Sequence, residues 1–578
     1  MLGQAGSVPD QHVGLKFGQV GVGETGRAAR QANHRVSAVQ QEFGEGPADS
    51  ASVPNDKVGF HTKANTAGTT FVETLDPMAL HPLNLTATWT LSDWQHVADG
   101  RAELQLSPSD RAAVAANRAA VERGIESGRV VYGLNTGFGA LCTTAVARED
   151  LRALQRNLII SHAAGAGPLA EPAIVRLMLA SKARNLALAH SGVRPELLDA
   201  VLALYREDAL PEVPLMGSLG ASGDLAPLAH LSLALLGEAH VLHRGTRKPA
   251  AQFWVELGQE PQVLEAKEGL ALINGTQFMQ AVGLASALKA VEVAAWADAT
   301  GSASLLAFDG MPSPFEDRVH ALRPHPGQAK VAANVQRWTE GSPLWHYEKP
   351  HVQDPYSFRC MPQVHGASRD AWRHVVSVLE TESASVTDNP LVFTDSGDGV
   401  SAGHFHGQPL ALAFDYAKIA SAEWGSISER RINQLTLGKR GLPMFLAADS
   451  GVESGLMIVQ YAAAALVSRN KQRATPASAD SIDSSAGQED HVSMGANAAT
   501  DLYEVLGNVE RILAMEWLCA VQASERSDRN LGPRLEALKA QFRSQFPATS
   551  GDYYAHEAME ASLRFVRSTP LALGNAAF

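Results

Sequence analysis

The 578-residue sequence predicts an all-α or mainly α protein, and three observations carry this prediction. Apolar residues recur at the three- and four-residue spacing of amphipathic helices through most of the chain. Alternating strand patterns are few, and there is no internal repeat with a period of about 20–50 residues. Alanine-rich runs that predict closely packed helices cover residues 278–308, 411–435, 455–473 and 493–524.

The first 77 residues differ from the rest of the chain. They contain no Ile, Trp or Tyr and show no sustained helical or strand period, so we expect no packed core there. Organised patterning begins near Met78. Two explanations stay open: residues 1–77 are a flexible extension, or translation starts at Met78.

Helices are expected in the next part of the chain. Ser107 is followed by a proline and an acidic residue, a typical helix start, and helical spacing continues to Gly128. Residues 151–162 and 172–190 repeat the amphipathic pattern, and an apolar helix is predicted over residues 225–239.

Composition excludes several classes of function. The chain has 61 acidic and 48 basic residues and a net charge of −13, which gives no reason to expect a nucleic-acid partner. Its three cysteines are far apart, so neither a disulfide framework nor a thiolate metal site is expected. No signal-peptide pattern is visible, and apolar runs such as residues 462–467 are too short to cross a bilayer. We expect a cytoplasmic protein without membrane partners.

Three short motifs are poor guides to function. Residues 21–26 match G-x-G-x-x-G but lie in the unpatterned segment, without a preceding strand or a following helix. His404, His406 and Asp415 could be drawn as metal ligands, although their spacing matches no known metal site, so a structural role is favoured. Residues 274–276 fit a glycosylation acceptor, which has no meaning without secretion.

The most informative stretch, residues 217–228, reads GSLGASGDLAPL. An ordinary glycine turn before a helix explains the glycines and Asp224, because a helix N-terminus favours a carboxylate. It does not explain Ser222. In the alternative, a compressed backbone brings the Gly223 nitrogen onto the Ala221 carbonyl, and loss of two waters leaves an electrophilic five-membered ring.

This stretch resembles the Ala-Ser-Gly motif of the histidine and aromatic amino acid ammonia-lyase family, which forms 4-methylideneimidazol-5-one (MIO) from these three residues. Five more segments resemble family motifs in the same order, and the resemblance covers roughly residues 80–545. They are YGLNTGFG at 132–139, NGTQ at 274–277, QDPYSFRCMPQ at 353–363, DNPL at 388–391 and QEDHVSM at 488–494.

The resemblance implies roles for individual residues. An MIO ring made from Ala221, Ser222 and Gly223 captures the substrate nitrogen, with Asp224 orienting the turn, and no metal or diffusible cofactor is needed. Tyr132 is the candidate base for the β-proton. The other implied contacts are Arg359 with the substrate carboxylate, Tyr356 supporting it or the proton transfer, Asn274 and Gln353 as neutral polar partners, and Phe405 packing on the ring or substrate.

Two positions bear on the substrate. Ser161-His162 resembles the pair in histidine-specific members of the family, and Glu489 resembles those members where the others usually have Gln. A histidine and a carboxylate can hydrogen-bond to imidazole nitrogens, whereas a phenyl ring leaves them unpaired. The expected reaction is therefore L-histidine to trans-urocanate plus ammonia.

The resemblance also implies an architecture. An N-terminal MIO-bearing region, residues 78–280 here, precedes a long helical bundle, residues 281–578, through which four chains associate into a homotetramer with shared active sites. Three positions depart from the family pattern. They are His404 in place of Asn, Glu453 where Asn or Gln is common, and Arg469 in place of Glu near the helices used in oligomer packing.

Two alternatives remain at the level of sequence. Another MIO enzyme, an aromatic ammonia-lyase or an aminomutase, would share every motif except the selectivity at Ser161, His162 and Glu489. A catalytically inactive helical scaffold would keep the fold alone.

Overall fold

The computed structural model describes residues 80–126, 147–571 and 578. All of them belong to one compact unit that comprises Leu75–Phe578. The described helices are α1 Leu91–Ala98, α2 Pro108–Glu126, α3 Leu151–His162, α4 Pro172–Ala187, α5 Pro195–Arg206, α6 Leu225–Leu233, α7 Ala250–Glu256, α8 Glu268–Ile273, α9 Gln277–Ala307, α10 Asp317–Ala321, α11 Pro326–Thr339, α12 Tyr356–Arg359, α13 Met361–Ser383, α14 Gln408–Thr436, α15 Met457–Arg473, α16 Gly495–Arg526, α17 Pro533–Gln545 and α18 Ala555–Ser568.

Strands are short in the described ranges and form four small sheets. A parallel pair, an antiparallel pair, an antiparallel three-stranded sheet and a last antiparallel pair have the orders β1-β2, β3-β5, β4-β6-β7 and β8-β9. Their bounds are β1 His81–Asn84, β2 Ala102–Gln105, β3 Ala166–Leu169, β4 Ala209–Pro211, β5 Pro214–Met216, β6 His240–His243, β7 Thr246–Pro249, β8 Leu391–Val392 and β9 Gly399–Val400. The expectation of a mainly α protein is confirmed.

The centre of the molecule is a bundle in which α16 packs along both α9 and α14. Small residues let these helices approach closely: the position of a Cβ on Gly283 of α9 would be 2.3 Å from the ring of Phe414 on α14. Contrary to the sequence-based expectation, α9 is long and apolar enough to span a membrane by length and composition. Because 72% of its apolar window is buried inside the fold, it serves as a core helix.

The predicted helices are found with small differences at their ends. Ser107 caps α2 as expected: its Oγ accepts from the Asp110 amide at 3.1 Å and donates to the Asp110 carboxylate at 2.6 Å. The helix predicted over residues 225–239 instead ends at Leu233 and continues as one 3-10 turn to Leu236. It stops there because Gly237 takes the left-handed conformation, φ 73°, that ends helices.

Candidate active site

The loop of residues 217–224, which we call the Ser222 loop, has an unusual backbone. Ser222 has φ 52° and Gly223 has φ 78°, so a non-glycine residue and a glycine adopt left-handed conformations in succession. Gly223 lies directly against the backbone of Gly275, and a Cβ added to Gly223 would be 2.1 Å from the Gly275 oxygen. A residue with a side chain cannot occupy position 223 without moving one of these two chain segments.

The start of α16 closes the other side of this loop. The Met494 amide donates to the Leu219 oxygen at 2.9 Å. A Cβ on Gly220 would be 2.1 Å from Ser493 Oγ, so glycine is required for this approach too. The loop is thus held between the segment around Gly275 and the N-terminal end of a long bundle helix.

Asp224 ties the Ser222 loop to the start of α9. Its carboxylate accepts from the amides of Phe278 at 3.1 Å and Met279 at 2.9 Å, and from Ser218 Oγ at 3.1 Å. Complete burial raises the pKa of Asp224 to about 7, although these hydrogen bonds and Lys182 counteract the shift. A helix N-terminus with free amides is the expected place for such a carboxylate.

Glu489 contacts Ser222, the predicted reactive residue of the loop. Ser222 Oγ donates to Glu489 Oε1 at 2.6 Å, although 267 residues separate the two in sequence. Ser484 donates to the other carboxylate oxygen at 3.1 Å and holds the side chain in place. Two residues that were predicted for different roles, the ring serine and the imidazole-binding acid, are therefore neighbours.

His162 is the last residue of α3, three residues before the segment that lies against the Ser222 loop. Its Nδ1 is 2.8 Å from the Leu158 oxygen, and because a carbonyl can only accept, Nδ1 carries the proton. Nε2 is then an acceptor. Gly165, three residues later, lies against Gly217 at the start of the Ser222 loop, and its amide donates to His230 Nε2 on α6 at 2.9 Å.

Asn274 immediately precedes the glycine that presses on Gly223. Its side chain is buried, its Nδ2 donates to the Asn389 oxygen at 3.5 Å, and its Oδ1 has no hydrogen-bond partner among the described residues. A buried amide oxygen without a partner carries a free-energy cost unless a ligand supplies a donor. The predicted substrate contact therefore has an open acceptor.

The segment of residues 353–359, which we call the Arg359 segment, forms a second group. Arg359 Nε is buried without a hydrogen-bond partner among the described residues, and the guanidinium carbon lies 4.5 Å from the centre of the Tyr356 ring. The Tyr356 side chain is 71% exposed, and Gln353 is exposed as well. Within the described ranges, no hydrogen bond or ion pair joins this segment to the Ser222 loop.

The body of the Arg359 segment is anchored in the bundle. Phe358 stacks on Phe308 with ring centres 4.6 Å apart, and the Ser357 oxygen accepts from Arg431 at 3.3 Å. Arg431 in turn makes a fully buried ion pair with Glu516, 2.6 Å from Nε to Oε1. The backbone is fixed, while the two substrate-binding candidates at its ends remain free to bind.

Phe405 is half-buried in the turn before α14. Gly407 of the same turn lies close to both Met279 and Ser493, which brings the turn to the base of the Ser222 loop. His406 Nε2 is 3.3 Å from Nδ1 of His491, two residues after Glu489. His406, one of the candidate metal ligands, thus connects the turn before α14 to the segment that carries Glu489.

The three departures from the family pattern have local partners. His404 Nδ1 is 3.1 Å from the Val386 oxygen, and Glu453 accepts from the amides of Ala448 and Asp449 at 2.7 and 3.2 Å. Arg469 pairs with Glu504 at 2.9 Å. Each of these three side chains therefore forms a hydrogen bond or an ion pair within its own chain.

Some predictions lie outside the described residues. These are Tyr132 with its glycine-rich loop, the motif at 21–26 and the whole of residues 1–77. In the described part of the chain, no group of three or more His, Cys, Asp or Glu side chains is arranged to hold a metal ion.

Sequence reasoning missed Lys182, which donates to the backbone oxygens of Ala271 and Asn274. A signal was present: Lys182 continues the apolar stripe of Ile174 and Met178 at four-residue spacing on α4, where a lysine is out of place. It also missed the fully buried ion pair of Lys267 with Asp388, 2.8 Å long. Nothing in the sequence around Lys267 or Asp388 indicated that these two residues are in contact.

Comparisons with known proteins agree on one family. The family model described as aromatic amino acid lyase matches residues 89–544. The chain is 46% identical over 495 residues to histidine ammonia-lyase of Symbiobacterium thermophilum, covering 85% of this chain and 98% of that protein. The crystal structure of histidine ammonia-lyase from Trypanosoma cruzi superimposes with a TM-score of 0.78 at 37% identity, covering 85% of this chain and 94% of that one.

A structure of tyrosine aminomutase from Streptomyces globisporus is similar as well. It superimposes with a TM-score of 0.79 at 35% identity and covers 84% of this chain and 97% of that one. The overall fold therefore does not separate lyases from aminomutases, whereas the extent of the family match leaves no doubt about ancestry. The chain belongs to the aromatic amino acid lyase family.

Proposed function

We propose that this protein is a histidine ammonia-lyase, which eliminates ammonia from L-histidine to give trans-urocanate. The observation that carries the proposal is the contact of Ser222 Oγ with Glu489 at 2.6 Å on a loop with consecutive left-handed residues. It puts an acceptor carboxylate beside the position where an electrophile would form. The high identity to histidine ammonia-lyases supports the same substrate.

The electrophile in this proposal is an MIO group formed from Ala221, Ser222 and Gly223, the group on which members of this family generally depend. The Gly223 nitrogen bonds to the Ala221 carbonyl carbon, and the carbonyl oxygen leaves as water with the amide protons of Gly223 and Ser222. A second water takes the Ser222 hydroxyl and α-proton. The close contact of Gly223 with Gly275 supports this step, because it compresses the loop that must close.

When formed, the MIO group supplies an electron-poor methylene that captures an amino group. The surrounding residues select what reaches it. His162 Nε2 and the Glu489 carboxylate both accept hydrogen bonds, so either can accept from the one N–H of a neutral imidazole ring, and together they match the two N–H groups of a protonated ring. A phenyl ring leaves both of these acceptors unpaired in a partly buried site, which costs binding free energy.

The amino acid end of the substrate requires a cation and neutral polar groups. We assign the substrate carboxylate to Arg359, whose buried Nε has no other partner, with Tyr356 beside it. Asn274 Oδ1 is an open acceptor for the amino group, with Gln353 as a further polar contact. Phe405 packs against the ring or substrate. Tyr132 is our candidate for the base that removes the β-proton, a task that requires a lowered phenol pKa.

A homotetramer completes this site in our proposal. Among the described residues of one chain, no hydrogen bond or ion pair links the Arg359 segment to the Ser222 loop, and an exposed apolar row on α14 is available for packing against other copies. The row consists of Leu412, Tyr416 and Ile419, which are 57%, 50% and 48% exposed, and Ile458 and Tyr461 of α15 are similarly exposed. Light scattering of the purified protein at several concentrations tests this state. We also expect the protein to act in the cytoplasm.

Offering histidine, tyrosine and phenylalanine separately tests the function. Urocanate is expected from histidine, and coumarate or cinnamate as the main product would overturn the proposal in favour of an aromatic lyase. A β-amino acid product would indicate an aminomutase. Glu489→Gln should lower kcat/KM for histidine by about 10–100-fold, because a charged acceptor for the imidazole is lost.

The mass of the tryptic fragment 207–244, released by cleavage after Arg206 and Arg244, tests the cofactor. We expect it to be lighter than the unmodified peptide by two water molecules. The matched control, Ser222→Ala, cannot lose the second water and should be inactive. An unmodified fragment in the wild-type protein would support the inactive-scaffold alternative.

A further inference from the structure

Lys182 is a buried cation directly behind the candidate active site. It lies on α4, is 1% exposed, and donates through Nζ to the backbone oxygens of Ala271 at 3.1 Å and Asn274 at 2.8 Å. In the described ranges, no carboxylate lies within ion-pair distance of Nζ. Its only hydrogen bonds among the described residues are thus the two to the end of α8.

A buried lysine at this position costs free energy, and the packing of α4 would accept an apolar side chain instead. Burial of an ammonium without a paired carboxylate disfavours its charged form, and burial lowers the pKa of Lys182 to about 7. The preceding positions of the same stripe, Ile174 and Met178, show that an apolar side chain suits this face of α4. A cation near the carbonyl end of a helix is favourable, but here it binds one specific turn.

The turn that Lys182 binds, Asn274–Gly275, is the segment that presses on the Ser222 loop. Asn274, whose oxygen Lys182 binds, precedes Gly275, and the Gly275 oxygen accepts from the Asp224 amide at 2.8 Å. The same Gly275 backbone occupies the space where a Gly223 side chain would lie. A continuous set of contacts therefore runs from Lys182 through Asn274 and Gly275 to Gly223 and the Asp224 amide, next to the nitrogen that must attack Ala221.

One turn further along α4, Asn185 supports the far side of the same turn. Its Nδ2 donates to Thr387 Oγ1 at 3.4 Å, and Thr387 Oγ1 accepts from Gln277 at 2.7 Å, at the start of α9. Asp224 binds the next two amides of α9. The buried face of α4 thus fixes residues 274–277 at both ends.

We infer that Lys182 is a positioning residue for formation of the MIO group: it holds the Asn274–Gly275 turn against Gly223 so that the Gly223 nitrogen stays close to the Ala221 carbonyl carbon. This inference rests on the proposed function, since it assumes that the ring forms. Without the two charge-assisted hydrogen bonds, the turn can move back and the loop relaxes to a longer separation.

A time course of ring formation tests this role. Wild-type protein, Lys182→Met and Arg184→Met are made by cell-free synthesis, and the mass of fragment 207–244 is followed from the end of synthesis. Arg184 is the matched control, because it is a buried cation on the same helix that binds the backbone oxygens of Ser383 and Ala87 instead. Melting temperatures of all three proteins report general destabilisation.

We expect Lys182→Met to lose the two waters at least about tenfold more slowly than wild type, and Arg184→Met to do so at the wild-type rate despite a lower melting temperature. Equal rates for Lys182→Met and wild type would overturn the inference. So would equal slowing of both variants, because it would reveal a purely structural effect. If Lys182→Met does not fold, Lys182→Gln removes the charge while keeping a polar side chain, and an unchanged rate there would likewise refute the role.

The outcomes separate this inference from the proposed function. If the wild-type fragment never loses water, the proposed cofactor is wrong, whatever Lys182 does. If the wild-type ring forms and urocanate is produced while Lys182→Met matches the wild-type rate, the function stands and the role of Lys182 fails.

Discussion

The Ser222 loop and the Arg359 segment serve one proposed reaction, yet they are built in opposite ways. In the Ser222 loop, nearly every polar group has a partner in its own chain: Asp224 has three donors, and the Ser222 hydroxyl donates to Glu489. In the Arg359 segment, the buried Arg359 Nε has no partner among the described residues, and Tyr356 is 71% exposed.

The difference follows from what each region must do. A loop that has to close on itself needs its neighbours fixed beforehand, so strain in the backbone is balanced by packing and hydrogen bonds on all sides. A group that binds a substrate carboxylate must keep unsatisfied donors until the ligand arrives. In our proposal, satisfied polar groups thus mark the region that would make the electrophile, and open ones mark the region that would recognise substrate.

The largest effect is expected from Gly223→Ala, which would break the compressed loop. The new Cβ meets the Gly275 oxygen at 2.1 Å and the residue has φ 78°, so we expect no ring and an activity loss of at least about 10³-fold. Fragment mass and urocanate production measure this. Gly245→Ala is the matched control, since it has φ 80° but no atom within 4 Å of its Cβ. Ring formation in Gly223→Ala would contradict the role of compression.

The next effect is expected from Arg359→Met, which separates the two regions functionally. Loss of the cation should lower kcat/KM by about 10²–10³-fold, mainly through KM, while fragment 207–244 still loses two waters. Arg373→Met, which removes a half-exposed cation paired with Asp370, should change neither quantity. A missing ring in Arg359→Met would show that the two regions are not independent.

A smaller effect concerns pH and Asp224. Its pKa is raised to about 7 by burial, so the folded chain retains a proton that the unfolded chain releases above its ordinary value of 3.8. Stability contributed by Asp224 is therefore present at low pH and lost as pH rises toward 7. We compare Ser222→Ala proteins with and without the additional change Asp224→Asn. The free energy of unfolding of the protein that keeps Asp224, relative to the Asp224→Asn variant, should fall by on the order of 2 kcal/mol between pH 4 and 7. Denaturant titrations measure it, and a constant or rising difference would refute the assignment.

The smallest effect is expected from Arg469→Glu, which removes an ion pair that contains no residue of either region. Replacing one of the two arginine partners of Glu504 by a like charge should cost less than about 1 kcal/mol, because the Arg469 side chain is 58% exposed and Arg473 still pairs with Glu504. The cost should shrink at high salt. A change in oligomer size on light scattering would instead place Arg469 at an interface between copies.

Much of the fold could be predicted from the chain because helical periodicity is local. Ile174, Leu177 and Met178 are buried as their spacing indicated, and Ser107 caps its helix through atoms three residues away. The end of α6 was misjudged, since the apolar pattern continues past Gly237 while the backbone there turns left-handed. Local pattern gives the presence of a helix more reliably than its last turn.

The candidate site was predictable only as a set of residues. Motif resemblance identified Ser222, Glu489 and Arg359, but nothing in the motifs said that the first two would be in contact while the third lies in a separate group. Lys182 was overlooked because a single lysine on an apolar stripe carries no motif. Its partner Asn274 is 92 residues away, and only the tertiary structure, which brings Lys182 of α4 to the end of α8, reveals the hydrogen bond.

The sequence by itself determined the helices, the chemistry available at each motif and the family to which the chain belongs. These depend on side-chain type and on spacings of a few residues, which the backbone converts directly into local structure. Only the tertiary structure decided that Gly275 presses on Gly223, that Glu489 meets Ser222 and that Lys182 holds the turn between them. Such contacts join segments 50 to 270 residues apart, roughly, and their distances are set by how whole helices pack rather than by any local preference.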